Sequence, residues 1–184
     1  LAEARLGPER VGIAAGSAFG AVERTVKFVD RVLRRGPRMA SPADFPHLVP
    51  SAASGNASIY AGTTGPVMAV SDLTTSAESA LCVADALIDL GLVDAMVAGS
   101  VAPADPLVAR VLGPVCSDSW GLRPGSGAGW LLVEASEAAK QRGAEPLAQL
   151  TFAGAHADPA ALLAGLVQPG SGAALFLVGE IGTD

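Results

Sequence analysis

Residues 66–81 read PVMAVSDLTTSAESAL, and this stretch decides the fold. Pro66 to Val70 is a short apolar run with the length and composition of a buried strand. The chain then breaks at small polar residues and resumes with helical spacing. Thr75 and Glu78 stand in T-x-x-E spacing, which predicts a reciprocal capping box at the helix start. Ala77, Leu81, Ala84, Leu87 and Ile88 mark one apolar stripe, which Ala80 and Val83 widen, and Gly91 is the stop signal. A stripe this wide predicts a helix buried on several sides. A strand that breaks sharply into a helix is a place where enzymes display a nucleophile. Here the break holds Leu73, Thr74 and Thr75, with no cysteine or histidine beside them.

Outward from this corner the same alternation recurs. Val11 to Ala15 reads as a strand, and Gly16 to Gly20 turns it into a helix over 21–35 that ends at Gly36-Pro37. Residues 51–61 have helical spacing and stop at Gly62. Strands are expected at Val93–Ala98, Ala128–Glu134 and Leu147–Phe152, with helices at 105–112 and 135–141 and a loop over Cys116–Pro124. The tail adds a helix near Pro159–Val167 and a strand near Ala173–Val178. Strands alternating with helices predict an α/β fold, with a mostly parallel five-stranded sheet between helix layers.

Composition narrows the function classes. Half of the 184 residues are hydrophobic, 16% are charged and the net charge is −6. That balance argues against a nucleic-acid partner, which needs a basic face to neutralise phosphates. No run approaches about 18 uninterrupted apolar residues, so no membrane span is expected. Two cysteines and no signal-peptide pattern fit a cytoplasmic location.

Several motifs have a plain reading beside a chemical one. The Gly16–Gly20 loop lies where phosphates often bind, but its spacing matches no phosphate fingerprint and a tight, closely packed turn is favoured. Gly125-Ser-Gly-Ala-Gly129 precedes a strand and favours a close backbone crossing. His47 and His156 have no ligand-type neighbours in metal spacing, so no metal is expected, and nothing implies a cofactor. Cys82 reads as a small buried residue, and Cys116 as a loop thiol without an activator. Lys27, Arg31, Arg34, Arg35 and Arg38 form the one basic cluster. It reads either as a solvated helix face suited to its negative pole or as a docking patch for an acidic partner.

These motifs together resemble the N-terminal half of the β-ketoacyl synthases, the condensing enzymes of fatty-acid and polyketide synthesis. That family shows a P-N-x-x-A-G-x-x-S-I-x-x-G-x-x-G-P-x-x-x-V-S-T-A-C run. The corresponding run here is Pro50-Ser-Ala-Ala-Ser-Gly55-Asn-Ala-Ser58-Ile59-Tyr-Ala-Gly62-Thr-Thr-Gly65-Pro66-Val-Met-Ala-Val70-Ser71-Asp72-Leu73-Thr74. Asp94-Ala-Met-Val-Ala-Gly99 resembles the family's D-x-M-x-A-G-G strand. Gly125-Ser-Gly-Ala-Gly129-Trp-Leu-Leu-Val-Glu134 resembles its G-E-G-A-G-x-L-V-L-E strand. Arg10-Val-Gly-Ile-Ala-Ala-Gly16-Ser17 is similar to its R-V-G-V-x-x-G-[ST] strand.

The resemblance implies one half of a thiolase-like fold over residues 1–153, followed by an αβ appendage over 154–184 packed on it. It places the family's nucleophilic cysteine at Thr74, so no catalytic residue is expected. It also implies two histidines from a second half, which have no equivalent here. The first expectation is therefore a non-catalytic partner subunit, similar to a chain-length factor. A reduced acyl-transferring or condensing enzyme completed by another chain is the alternative, as is a fragment of a larger synthase. The implied partners are a ketosynthase or a second copy, joined through residues 66–71, and acyl carrier protein at Lys27, Arg31, Arg34, Arg35 and Arg38.

Overall fold

A computed structural model of the chain describes residues 6–120 and 125–150. Val11–Gly16 forms β1, and all six of its residues are buried. A strand covered on both faces needs such an unbroken apolar run. After β1 come α1 (Val22–Arg35) and α2 (Ala52–Ala61), then β2 (Val67–Val70). β2 lies parallel to β1, with Met68 opposite Ala14. A 3-10 turn at Leu73–Thr75 leads into α3 (Ser76–Asp89), and β3 (Ala95–Ala102) follows. β3 runs parallel to β1 on its other side, with Ala98 opposite Ala14. Next are α4 (Pro106–Trp120) and β4 (Gly127–Glu134), which is antiparallel to β3.

Among the described residues the sheet has four strands in the order β2-β1-β3-β4. The architecture is α/β, with the sheet lying between helices. The core lies where α3 crosses it. Ala80, Leu81 and Ala84 of α3 pack with Ala14, Val93, Met96 and Ala98, and Val70, Leu87, Ile88 and Val133 close the rim. Mostly small side chains let the helix sit low on the strands. Gly91, at φ 69°, ends the helix region, and Leu92 N–H donates back to the Leu87 carbonyl at 3.1 Å.

Arg10 locks this connection. Its Nη2 lies 2.5 Å from Asp94 Oδ1 and its Nε 3.0 Å from Oδ2. Its Nη1 also donates to the Gly91 and Leu92 carbonyls at 2.9 and 3.1 Å. One guanidinium thereby ties the start of β1 to the end of α3 and the approach to β3.

Two expectations need correction. The fifth strand does not form over its described part. Residues 147–150 are irregular and Leu147 is 97% exposed. A strand requires a ladder partner, which an apolar run cannot supply by itself. The loop expected from Cys116 is helical as far as Trp120, because α4 continues past its internal Pro114. Proline removes one helical hydrogen bond and bends the helix, but need not end it. The close backbone crossing expected of the glycine-dense segment forms where Gly129 passes Gly99 on the paired strand. A Cβ on Gly99 would fall on the Gly129 carbonyl, whereas Gly125, Gly127 and Gly129 have open space.

Residues up to Ala135 form one compact unit, and Ser136 begins a second. The second unit contributes α5 (Ser136–Gln141), braced by a Lys140–Glu137 ion pair of 2.9 Å. The expected elements at Pro159–Val167 and Ala173–Val178, and the appendage 154–184, lie outside the described residues.

Candidate functional site

The parallel strands β1, β2 and β3 point their carboxyl ends to one edge of the sheet. The chain first places β2 on one side of β1 and then β3 on the other. The crevice between the ends of β1 and β3 is therefore a topological switch point, where open α/β sheets bind ligands. A cavity of about 240 Å³ lies there. Ser17, Ala18 and Phe19 line it from the β1 side, and Ala102, Pro103 and Val108 from the β3 side. Asp105 braces it. Its Oδ1 accepts from Leu107 N–H at 2.8 Å and Val108 N–H at 3.2 Å, and its Oδ2 accepts from Glu23 N–H at 3.1 Å. One carboxylate thus serves the N-terminal turns of both α4 and α1.

The corner with Thr74 stands at the carboxyl end of β2, in the same layer. Leu73 has φ 45°, the single described non-glycine residue with positive φ. A leucine in the left-handed region marks strain held by its surroundings. Those surroundings are a compact hydrogen-bond cluster. Asp72 N–H donates to Ser76 Oγ at 2.9 Å, and Ser76 Oγ donates to the Leu73 carbonyl at 2.8 Å. Thr75 N–H and Oγ1 donate to the Asp72 carbonyl at 3.0 and 2.9 Å. Ser79 Oγ donates to the Asp72 carboxylate at 2.6 Å.

This arrangement replaces the expected capping box. The Thr75 hydroxyl turns back to Asp72 and makes no cap bond, and Glu78 Oε2 is buried without a partner among the described residues. The 3-10 turn has already engaged the Thr75 group that the box would use. Gly16 explains how the corner reaches the sheet. A Cβ there would collide with the Ser76 carbonyl, so only glycine lets the start of α3 sit on the end of β1. The close-packing reading of Gly16 is the one that fits.

Cys82 lies two turns into α3, in a half-buried position. Burial pushes its thiol up, and Asp85 pushes the same way. A raised pKa keeps it protonated and poorly nucleophilic. Cys116 stands in α4, and His156 lies outside the described residues.

The five basic residues fall on and just after α1. Lys27, Arg31, Arg34 and Arg35 are in the helix, and Arg38 is in the 3-10 turn Pro37–Met39. Three of them are already paired: Lys27 with Glu23, Arg31 with Asp44 and Arg34 with Asp30, each at 2.6 Å. Arg35 and Arg38 have no ion-pair partner among the described residues. The sequence reading left Arg24 out of this cluster and did not join His47 to it. Both stand with Lys27 and Arg31 around a second cavity of about 200 Å³. Arg24, Lys27 and Arg31 recur at helical spacing, which could have signalled a shared face; the approach of His47 from a separate turn could not.

Comparison with known proteins agrees with this geometry. The profile "Beta-ketoacyl synthase, N-terminal domain" matches residues 1–115. Nodulation protein E of Rhizobium sp. (strain N33) is 37% identical over 155 residues, covering 78% of this chain and 38% of that protein. The 3-oxoacyl-[acyl-carrier-protein] synthase 2 of Vibrio cholerae is 33% identical over 186 residues, covering 91% of this chain and 45% of that enzyme. Among solved structures, a type II polyketide ketosynthase in complex with its acyl-carrier protein superposes with a TM-score of 0.66 at 27% identity. That match covers 78% of this chain and 44% of the other. The chain spans less than half the length of these relatives. The fold is thiolase-like, and with a family profile covering most of the chain and the strand-to-helix corner in place, the chain belongs to the β-ketoacyl synthase family.

Proposed function

We propose that the chain is a non-catalytic, ketosynthase-like subunit of fatty-acid or polyketide biosynthesis. The feature that carries this reading is Thr74, which by the motif register would take the nucleophile position, at a strand-to-helix corner strained at Leu73. A cysteine at a helix N-terminus ionises readily and attacks a thioester. A threonine hydroxyl does not ionise near neutral pH and needs a general base. The described groups nearest in sequence are committed elsewhere: the Asp72 carboxylate accepts from Ser79, and the Ser76 hydroxyl bonds Leu73. The raised pKa of Cys82 argues against a substitute thiol. The apolar cavity between the ends of β1 and β3 is compatible with a subunit that still receives part of an acyl chain.

Two contacts belong to this proposal. Residues 66–71 would join a ketosynthase or a second copy, and the edge position of β2 supports that use. Lys27, Arg31, Arg34, Arg35 and Arg38 would meet an acyl carrier protein, and the polyketide ketosynthase relative was solved with its own carrier. Arg35 and Arg38 would carry most of that attraction, since the other three charges are neutralised locally.

The test is a condensation assay with malonyl and acyl donors on carrier protein, read by mass spectrometry. Wild-type protein should give neither condensed product nor an acyl adduct at Thr74. Thr74→Cys should become acylated without condensing. Condensed product from the purified wild-type chain would overturn the reading.

A further inference from the structure

The cavity on α1 is the least expected feature of the surface. Its walls carry three cations, Arg24, Lys27 and Arg31, against one carboxylate, Asp44. The whole chain has a net charge of −6, so this is a positive pocket in a negative protein. Arg24, Lys27, Phe28 and Arg31 share one helix face by their spacing. Asp44, His47 and Leu48 form the facing wall.

That wall is fixed to the helix. Arg31 Nη1 lies 2.6 Å from Asp44 Oδ2. Thr25 Oγ1 donates to the Leu48 carbonyl at 3.4 Å. The Phe28 and Phe45 rings stack at a tilt, with centroids 6.5 Å apart. The pocket is therefore formed in advance of any ligand. Lys27 and Arg31 have acidic partners, but Arg24 has no hydrogen-bond or ion-pair partner among the described residues.

We propose that this pocket binds a small organic phosphate ester. The Arg24 guanidinium offers a planar fork that fits two phosphate oxygens. Lys27 and His47 stand beside it as further donors. With Glu23 paired to Lys27 and Asp44 to Arg31, the net positive charge left at the pocket is that of Arg24, which attracts a phosphate monoester. Phe28 and Leu48 supply an apolar wall for the organic group, and about 200 Å³ holds a phosphate with a single ring. The inference rests on this pocket alone and stands whether or not the chain acts as a synthase partner.

Phenyl phosphate, inorganic phosphate and phenol would be titrated separately into the full chain by calorimetry. Phenyl phosphate should bind saturably at one site and more tightly than inorganic phosphate, and phenol should not bind. Added salt should weaken the interaction. Arg24→Ala and Arg24→Gln should each raise the Kd at least tenfold, with unchanged circular dichroism and Tm. Arg110→Ala, in α4 and outside the pocket, should leave it unchanged. No binding of phenyl phosphate at millimolar concentration, or equal binding by wild type and both Arg24 variants, would overturn the site. Equal affinity for inorganic and phenyl phosphate would overturn the ester assignment.

Discussion

Arg10 and Asp94 each open one of the strand motifs, and their pairing gives both a physical role. The hydrogen bond from Arg10 holds the Asp94 carboxyl below its ordinary pKa, against a smaller opposing effect of desolvation, and the Arg10 charge adds to the lowering. A depressed carboxyl stabilises the fold fully above its unfolded pKa, and the contribution disappears as pH falls through the folded value. Asp94→Asn should therefore lower Tm at neutral pH, and the gap from wild type should close below about pH 4, where free carboxyls titrate. A gap that stayed constant down to about pH 2 would mean that the pair's charge does not act on stability. The side chains are about one-third exposed, at 36% and 34%, so salt should shrink the same gap.

At the scale of elements, α3 connects sequence to function. It begins beside Thr74, and its residues Ala80 and Ala84 are fully buried against the sheet. Ala84→Asp would place a carboxylate in that contact, where an uncompensated charge typically costs about 3–5 kcal/mol. Urea denaturation should register a loss of that size, and an unshifted midpoint would contradict the packing. The strands β1 to β4 and helices α1 to α3 were legible because each carries its own period and stop signal. What was not legible depended on partners or on competition between local bonds. Leu147–Leu150 has strand composition and no ladder. The T-x-x-E spacing at Thr75 lost to bonds made by Asp72, Ser76 and Ser79. Cys116–Trp120 is rich in turn formers but extends an existing helix. At the candidate site, the proposed place of Thr74 at the nucleophile position comes from the motif register alone. The strained Leu73, the brace at Asp105 and the pocket at Arg24 needed backbone angles and distant contacts.

At the scale of the whole molecule, the decisive feature is β2, an edge strand of the sheet among the described residues. Ile13 N–H donates to the Pro66 carbonyl and Ser17 N–H to the Val70 carbonyl, each at 2.9 Å. In a strand these groups alternate sides, so Pro66, Met68 and Val70 face β1 and Val67, Ala69 and Ser71 face outward. Met68 is 42% exposed, and on the nearby α2 Ile59 is 77% and Tyr60 92% exposed. An unpaired edge beside exposed apolar side chains is a surface that natural proteins normally cover. The proposed cover is a twin strand running antiparallel across a two-fold axis, from a second copy or a ketosynthase. Ala69→Pro tests this selectively. It removes an outward N–H and leaves the ladder to β1 intact, so it should weaken association more than folding. Light scattering at micromolar concentration should give a dimer for wild type and a shift towards monomer for Ala69→Pro, with Tm measured on both. A wild-type monomer, alone and also when mixed with a ketosynthase encoded beside it, would remove the β2 interface and the subunit contact proposed there.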